Sequence, residues 1–600
     1  MGVFKHRSTL PALSAGGARH RQGAASRPRG ARVVPALGAA LAVLVAMFSS
    51  AGGAAAARGS AAVATAHHAG NYAVPALTRN IFNLPTVKAG AALRAAPRTL
   101  AVRGSLASKS RARTGLRAPV ATQLLAGASS AGAGTISGVK FQGMADSASI
   151  CPYFGGCQPP DMALAASPKY VLQGVNTSYE IFKTNGTPWI GPINDLTWYG
   201  VPPLPGNCDP LGPFMSDPRA FYDPNTGLFW TATLQVEAAA FGVGSSCPNT
   251  SIYWVAVVNP ATGVQHVYHF DMTLGGTVNA GADYTQFGFS GKTISFTGNM
   301  FDFTTGNYDF AEVQFADKAT MEAGNPVTSV AFTDLTVGSV PVDTVQPVET
   351  ETTPANDPGV QYLVNAFNIF GDPFGDDCFF TACHGFVVWA YDPSNQTLGG
   401  NLADPPVGSP TYASPPNADE PGCVQCVETI DTRITGTPVY SVGGGQPLIS
   451  FSLDTVVNNG GAGGSSFVAG ILWGQIQVTH FSSIPFPNLY QHGYLAFAGD
   501  QAASFGAMMQ DKKGRLVMVF DTMSGTLNPS IMVAQQSAGS PLGALGTPKF
   551  LIKGPSATFD SRWGDFEAAS YDGFGHDQNH IWVASQYSVS GDWNTLIGKV

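Results

Sequence analysis

The stretch SDPRAFYDPNTGLFWTATLQ, residues 216–235, contains the pattern that decides the fold of this chain. A polar residue, Asp217, opens a short strand-like run, and the turn residues Asp-Pro-Asn-Thr-Gly follow it. A second run, rich in aromatic and β-branched residues, comes directly after the turn. Two such runs around Gly- and Asn-containing turn residues are typical of a β-hairpin. The stretch therefore predicts two antiparallel strands joined by a tight turn.

The same pattern recurs along the chain. Each copy begins with a polar start residue, and these start residues are Asp161, Asp217, Asp283, Gln346, Asp431, Ser504 and Asp565. Successive start residues are 56, 66, 63, 85, 73 and 61 positions apart. That spacing suits a unit of four strands with its loops, and units that repeat without a break around an axis form a β-propeller.

The chain is therefore predicted to be all-β, with a single β-propeller of seven four-stranded blades. Six or eight blades are the alternatives, and two β-sandwich domains are the competing fold. After Tyr587 only one further strand fits before the chain stops at residue 600. We expect residues 136–141, ISGVKF, to supply the missing fourth strand and so close the ring without a free sheet edge.

Charge divides the chain into unequal parts. Residues 1–135 hold 17 of the 31 Lys and Arg residues and no Asp or Glu, so residues 136–600 hold the other 14 and all 39 acids, a net −25. An uncharged apolar run at 33–48 precedes small residues that end at Ala57, which predicts a signal peptide over residues 1–57. A membrane anchor, the alternative, needs about 20 apolar residues.

Residues 58–135 are basic and rich in Ala, Gly and Ser, and we expect a disordered tail or a propeptide there, ahead of the propeller at 136–600. No later run is apolar and long enough to span a bilayer. The sequence therefore predicts an extracellular or periplasmic protein, secreted as a monomer. The acidic propeller disfavours nucleic acid as a partner, because phosphate repels it.

Cysteine usage agrees with export. All eight Cys follow the signal, and an even number in an oxidising compartment indicates disulfides. Proximity in the sequence favours the pairs Cys151–Cys157, Cys208–Cys247, Cys378–Cys383 and Cys423–Cys426, among the 105 pairings that eight cysteines allow. The Cys423–Cys426 spacing also occurs in zinc and redox motifs. Because no second CxxC lies near it, a disulfide that closes a local loop is the better interpretation.

The stretches SDPRAFYDPNTGLFW and RWGDFEAASYD…IWVASQY resemble secreted bacterial β-propeller proteins of the broad sialidase-like, BNR-type grouping. The resemblance covers roughly residues 136–600 and implies an exported propeller without a common activity. The Asp-box S-x-D-x-G-x-x-W of that grouping is absent from every copy of the repeat.

Start residues of inner strands face one mouth of a propeller channel, so acids remote in sequence are expected to meet there. The catalytic candidates are Asp217, Asp283, Asp431 and Asp565, with Asp161 beside them, and the candidate ligand-binding residues are Arg219, Arg433, Arg562 and Trp563. Resemblance to sialidases implies three arginines that grip a sugar carboxylate. The competing interpretation, which we favour, pairs each arginine with its neighbouring Asp.

The favoured function is the binding of a carbohydrate or an extracellular protein at the channel mouth, without catalysis. The alternative is a glycan-active enzyme, either a glycoside hydrolase or a polysaccharide lyase. Loop aromatics that are able to stack on sugars include Trp189, Trp198 and Tyr199. No cofactor is expected, and structural Ca²⁺ is the one metal that the Asp-rich loops at 370–379 and 571–580 suit.

Overall fold

The computed structural model describes residues 63–86, 123–125, 136, 138–147, 150, 159–350, 356–369, 378, 382–403, 410–460, 467–558, 562–573 and 580–600. In this part of the chain, α-helix is confined to α1 (Asp195–Tyr199) and α2 (Lys318–Glu322). Short 3-10 turns span Ile81–Asn83, Pro205–Asn207, Ala239–Phe241 and Gly443–Gly445. The prediction of an all-β protein is confirmed.

Strands dominate from the N-terminal part onward. The first four are β1 (Val63–Val74), β2 (Ala76–Asn80), β3 (Gln123–Leu125) and β4 (Lys140–Ala145). Three antiparallel four-stranded units follow in chain order. Unit 1 comprises β5 (Ala163–Ala166), β6 (Tyr170–Val175), β7 (Ser178–Lys183) and β8 (Pro188–Asn194). Unit 2 comprises β9 (Met215–Asp223), β10 (Leu228–Glu237), β11 (Thr250–Val258) and β12 (Val264–Asp271). Unit 3 comprises β13 (Ala280–Phe289), β14 (Thr293–Asp302), β15 (Tyr308–Asp317) and β16 (Val327–Val337).

The middle of the chain has shorter strands. They are β17 (Val340–Pro341), β18 (Gln346–Pro347), β19 (Glu349–Thr350), β20 (Gln361–Ala366), β21 (Cys383–His384), β22 (Phe386–Asp392), β23 (Thr397–Leu402), β24 (Thr411–Tyr412), β25 (Ala418–Glu420) and β26 (Cys423–Val427). Unit 4 is formed by β18, β20, β22 and β23 in that order. The pairs β21–β24 and β25–β26 are separate two-stranded ribbons.

Three further units complete the chain, and units 3, 4 and 5 belong to one 16-stranded sheet in which β1 joins β23 to β16 and β19 joins β13 to β27. Unit 5 comprises β27 (Val439–Ser441), β28 (Leu448–Asn458), β29 (Phe467–Phe481) and β30 (Ile484–Phe497). Unit 6 comprises β31 (Ala502–Gln510), β32 (Leu516–Ser524), β33 (Leu527–Gln536) and β34 (Lys549–Ile552). Unit 7 comprises β35 (Ala568–Tyr571), β36 (Ile581–Val589) and β37 (Asp592–Lys599), and β4 is its fourth strand. Strand β4 begins four residues later than the predicted closing strand, at Lys140, and pairs Phe141 with Ile597.

The core lies between neighbouring sheets. Phe221 of unit 2 stacks on Phe289 of unit 3 with ring centroids 3.9 Å apart. Phe386 of unit 4 packs on Phe451 of unit 5 at 4.4 Å. Strand β32 is buried at all nine positions, because it is covered on both faces. This packing explains why second strands carry large side chains, whereas a first strand such as β5, with the sequence ALAA, carries small ones.

Part of the N-terminal segment is ordered as a strap over outer sheet edges. Strand β1 pairs with β16 of unit 3 and, through Val63 and Ala64, with β23 of unit 4. Strand β2 adds a fifth strand to unit 2 along β12, and β3 pairs with β30 of unit 5. The expectation of disorder is therefore wrong for residues 63–86. Hydrogen bonds to remote sheet edges, which composition does not reveal, supply the order.

Three disulfides join the predicted partners, namely Cys208–Cys247, Cys378–Cys383 and Cys423–Cys426. Cys151 and Cys157 lie outside the described residues. In the part of the chain that the structure describes, no helix has the length and apolar character needed to cross a membrane.

Candidate functional site

In four units a non-glycine residue with a left-handed backbone lies within the first strand or just before it. The φ angles are +32° at Asp161, +58° at Asp217, +51° at Tyr284 and +57° at Phe505. In units 2, 3 and 6 the pairing of the first two strands shifts at a bulge beside this residue. Such a conformation costs a non-glycine residue about 1–3 kcal/mol, so the surroundings must hold it in place.

Carboxylates hold these turns by accepting hydrogen bonds from backbone amides of another unit. The bonds are Asp565 N to Asp161 Oδ1 at 2.9 Å, Thr285 N to Asp217 Oδ2 at 3.0 Å, and Phe505 N to Asp454 Oδ1 and Oδ2 at 3.0 and 2.9 Å. The amide of Asp217 itself donates to Asn176 Oδ1 at 2.9 Å. Asp161 and Asp217, predicted at the channel mouth, thus tie sheets together.

The structure brings the predicted acids close enough to repel one another. Burial, followed by repulsion from Asp565 and Asp217, raises the pKa of Asp161 well above its usual range. Burial and then repulsion from Asp565 raise the pKa of Asp217 to about 6. Burial and repulsion from Asp217 raise the pKa of Asp283 to about 7. The cluster therefore holds protons that isolated Asp side chains lose near pH 4.

Arg433 is paired with its neighbouring acid, as predicted. Its Nε donates to Asp431 Oδ1 at 2.8 Å and its Nη2 donates to Asp431 Oδ2, a bidentate arrangement. The guanidinium also lies over the ring of Tyr284, 4.3 Å from the centroid. Because Arg433 is buried, this guanidinium is held by protein groups on one edge and one face.

Arg562 is paired as well, with two acids. Its Nη2 donates to Asp565 Oδ2 at 2.8 Å, and its Nη1 donates to Glu428 Oε2 at 3.2 Å. Its side chain keeps 29% of its surface exposed. Among the four predicted ligand-binding residues, Arg562 is therefore the one that solvent reaches.

Arg219 departs from the prediction of an ion pair with Asp217. The left-handed backbone of Asp217 and the adjoining bulge break the alternation that was expected to put both side chains on one face. Asp217 instead accepts hydrogen bonds from Ser216 Oγ and Thr285 N. The guanidinium of Arg219 lies 3.2 Å above the ring centroid of Phe566, and its Nε and Nη2 have no hydrogen-bond partner among the described residues.

The predicted aromatic contacts are mostly internal. Trp563 is 1% exposed, and its Nε1 donates to Asp521 Oδ2 at 2.7 Å. We expected Trp563 to contact a ligand, but its side chain has no exposed surface for that contact. Trp198 and Tyr199 are also buried, whereas Trp189 is 43% exposed and stacks on Tyr170.

Two small cavities lie beside these residues in the part of the chain that the structure describes. A cavity of about 20 Å³ lies among Met162, Arg219, Glu349, Ala507 and Glu567, which come from different units. A second cavity, of about 10 Å³, lies next to Asp431 and Arg433. Volumes of this size suit about one water molecule each. Pockets for a sugar or drug-sized ligand start near 300 Å³, so neither of these two cavities, lined by described residues, admits a sugar ring.

Sequence reasoning missed Glu428, Asp454 and Asp521. Glu428 binds an arginine 134 positions away, and no local pattern marks that contact. Asp454 and Asp521 each lie within a buried second strand in the same short motif, Leu-Asp-Thr and Phe-Asp-Thr. That repetition was the available signal for their role in tying neighbouring units.

Replacing the buried Arg433 is expected to destabilise the protein strongly. Arg433→Met leaves the carboxylate of Asp431 without its bidentate partner, and breaking such a buried pair costs about 3–5 kcal/mol. Urea denaturation measures the loss. The matched control is Arg515→Met, since Arg515 is 24% exposed and the buried carboxylate of Asp511 keeps hydrogen bonds from the backbone amides of residues 513 and 515 when the guanidinium is removed. Its loss is expected to stay within about 1 kcal/mol, and equal losses in the two variants contradict the account.

Among the described residues, no group of three or more His, Cys, Asp or Glu side chains is arranged to hold a metal ion. Most of the two Asp-rich loops proposed for Ca²⁺, at 370–377 and 574–579, lies outside the described residues. Structural Ca²⁺ stays a prediction.

No protein family matches the sequence, and neither does any curated protein. Solved structures resemble the fold at low similarity. The Hadza microbial sialidase Hz136 aligns with a TM-score of 0.34 and 9% identity over 72% of this chain and 74% of its own. The Dos1 propeller aligns at 0.30 and 9% over 72% and 77%. An endo-arabinase from Bacteroides thetaiotaomicron VPI-5482 aligns at 0.25 and 10% over 53% and 93%. Similarity at this level carries no argument about fold or activity, which rest on the strand pairings and the site.

Proposed function

We propose that the seven units form a closed seven-bladed β-propeller. First strands of neighbouring units lie side by side, as β5 does with β9 and with β35. Strand β19, which follows the first strand of unit 4, pairs in parallel with β13 of unit 3 and with β27 of unit 5. The bond from Asp565 N to Asp161 Oδ1 links unit 7 to unit 1, and β4 adds the fourth strand of unit 7. In such a ring the N-terminal strand β4 completes the sheet of unit 7, and every unit has a neighbouring unit on both sides.

We further propose that the protein is an exported, non-catalytic binding protein whose ligand, a carbohydrate or a protein, docks at the channel mouth. The observation that carries this proposal is the saturation of Arg433 and Arg562 by Asp431, Asp565 and Glu428. Guanidiniums already held by carboxylates are not free to grip a substrate carboxylate in the bidentate manner. The signal-like N-terminus and the three disulfides support export.

The exposed surface next to Arg562 suits such docking. Glu428, which binds Arg562, follows directly on the β25–β26 hairpin. The tip of that hairpin carries Val424, which is 79% exposed. An apolar tip beside a charged pair offers both the buried contact and the polar rim that binding surfaces combine.

A glycan-active enzyme is the second candidate, and one observation favours it. Burial and repulsion raise the pKa of Asp283 to about 7, which is the range that a general acid needs. A glycosidase also needs two carboxyl groups around one open glycosidic bond, and Asp283 lines neither of the two small cavities described above, of about 10 and 20 Å³. The binding function therefore has the better support.

Glycan and protein arrays, followed by a glycosidase and lyase panel on the same full-chain protein, test the proposal. We expect binding without turnover, weakened at least about tenfold by Arg562→Ala or Val424→Asp. Controls at a distance are Arg515→Ala and Leu542→Asp, because Leu542 is exposed to a similar degree, 59%. Turnover of any glycan that Asp283→Asn abolishes overturns the proposal in favour of the enzyme.

A further inference from the structure

A cleft of about 420 Å³ lies between units 3 and 4, far larger than the cavities of about 10 and 20 Å³ beside the acid cluster. We call it the interunit cleft. Unit 3 contributes Lys292 from the β13–β14 turn, Phe315 and Asp317 from the end of β15, and Thr320 from α2. Unit 4 contributes Tyr391 and Gln396 from the β22–β23 hairpin.

The floor of the interunit cleft is apolar and rigid. Phe315 and Tyr391 stack with centroids 3.8 Å apart and planes 4° from parallel, and both rings are buried. The two valines of β16 that line the cleft are buried as well, so the apolar surface that a ligand reaches comes from Pro326, which is exposed, and from the half-exposed Pro393. Stacked rings held by two different sheets give the cleft a fixed base.

The rim of the cleft is polar and is held in place by hydrogen bonds. Asp317 Oδ1 accepts a bond from Thr320 N at 2.8 Å, and Gln396 Oε1 accepts one from Asn71 Nδ2 of β1 at 3.4 Å. The carbonyl of Lys292 accepts from the amide of Lys318 at 2.9 Å. Lys292, Asp317 and Gln396 are exposed, so the rim offers an ammonium, a carboxylate and an amide to solvent.

We infer that the interunit cleft binds a neutral saccharide of one or two pyranose rings. A pyranose has an apolar face of C–H groups and an edge of hydroxyl groups, which matches the ring surfaces of Pro326 and Pro393 beside a polar rim. The hydroxyls donate to Asp317 and accept from Lys292 and Thr320. The volume lies within the range of about 300–1,000 Å³ found for small-molecule sites. This site is separate from the channel mouth, and it does not depend on the function proposed for the mouth.

Saccharide titrations of the full-chain protein test this inference. The probes are glucose, galactose, mannose, xylose, cellobiose and lactose at concentrations up to about 10 mM, followed by calorimetry and by saturation-transfer NMR. At least one probe is expected to bind saturably. Thr320→Trp, which fills the cleft from the half-exposed surface of α2, is expected to abolish binding. Lys292→Ala is expected to weaken binding about tenfold, because it removes one charged hydrogen-bond donor.

The matched control is Lys512→Ala, since Lys512 is exposed on the equivalent first turn of unit 6, and it is expected to leave binding unchanged. Thermal unfolding establishes that each variant is folded, and Lys292→Ala carries the test if Thr320→Trp is not. The inference is overturned if no probe binds, or if binding survives in both cleft variants. Loss of binding in Arg562→Ala alone places the saccharide at the mouth, which supports the proposed function and refutes the cleft.

Discussion

Deletion of residues 58–86 is expected to make the protein aggregate and to lower its melting temperature by about 10 °C or more. The deletion removes β1 and β2, and with them nine registered pairs to β16 and five to β12. The outer edges of units 2, 3 and 4 then present unpaired N–H and C=O groups. Open edges of this kind pair with other chains.

Side chains of the strap add to this effect. Val74 is 4% exposed and packs in the core of units 2 and 3. Arg79 Nη1 donates to the carbonyls of Thr197 at 2.7 Å and Trp198 at 3.2 Å, near the C-terminal end of α1. The strap therefore contributes both backbone pairing and a helix-end contact.

Light scattering and thermal unfolding of the deleted and complete proteins measure the effect. A point variant, Val74→Asp, is expected to reproduce part of the destabilisation, because it buries a carboxylate. Leu77→Asp is the matched control, since Leu77 is 50% exposed on the adjacent strand. A deleted protein that stays monomeric with an unchanged melting temperature contradicts the account.

We also expect Val63 and the residues after it to remain in the mature protein, which intact mass spectrometry determines.

The protein is expected to be more stable in mild acid than at pH 8. Burial raises the pKa of Asp195 and of Glu349 to about 8. Burial, opposed by hydrogen bonds from Ser585 and Trp563, leaves the pKa of Asp521 raised to about 7. In the unfolded chain these carboxyls titrate near pH 4. Between about pH 4 and pH 8 the folded protein thus binds more protons than the unfolded chain.

Raising the pH favours the state that binds fewer protons, which in this window is the unfolded chain. The free energy of unfolding must therefore fall as the pH rises from about 4 to about 8. We expect a loss on the order of a few kcal/mol between pH 6 and pH 8. Half-buried histidines act in the opposite sense at lower pH, since burial lowers the pKa of His492 and of His269. The steepest decline is therefore expected above pH 6.5.

Differential scanning calorimetry at pH 6, 7 and 8, at constant ionic strength, measures this dependence. The melting temperature is expected to drop by about 5 °C or more across the series. Glu349→Gln removes one of the buried carboxyls and is expected to flatten the slope, whereas Asp592→Asn, at an exposed position, leaves it unchanged. A melting temperature that rises toward pH 8 contradicts the account.

The repeat made most of the strands predictable from the sequence. Hairpins such as β9–β10 and β31–β32 carry their own turn residues between strand-forming runs that are almost continuously buried, so local chemistry specifies them. Strand β1 was not predictable in the same way. Only Ala64 and Val74 of its described side chains are buried, and its order comes from pairing with strands more than 250 positions away.

The candidate site was likewise predictable only in part from the sequence. The bidentate pair of Arg433 and Asp431 was predictable, because the two residues alternate on one face of an extended segment. The behaviour of Arg219 was not, since it depends on the left-handed backbone of Asp217, which Thr285 and Asn176 from other units hold in place. Tertiary contacts thus decide which acidic side chain pairs with which arginine.

Closure of the ring by β4 is the central claim, and hydrogen–deuterium exchange of the full-chain protein tests it most directly. Amides of Lys140–Ala145 that lie in the ladder with β37 are expected to exchange as slowly as those of β36, because both strands belong to one sheet. Rapid exchange in Lys140–Ala145 beside a protected β36 would contradict closure and, with it, the seven-bladed ring.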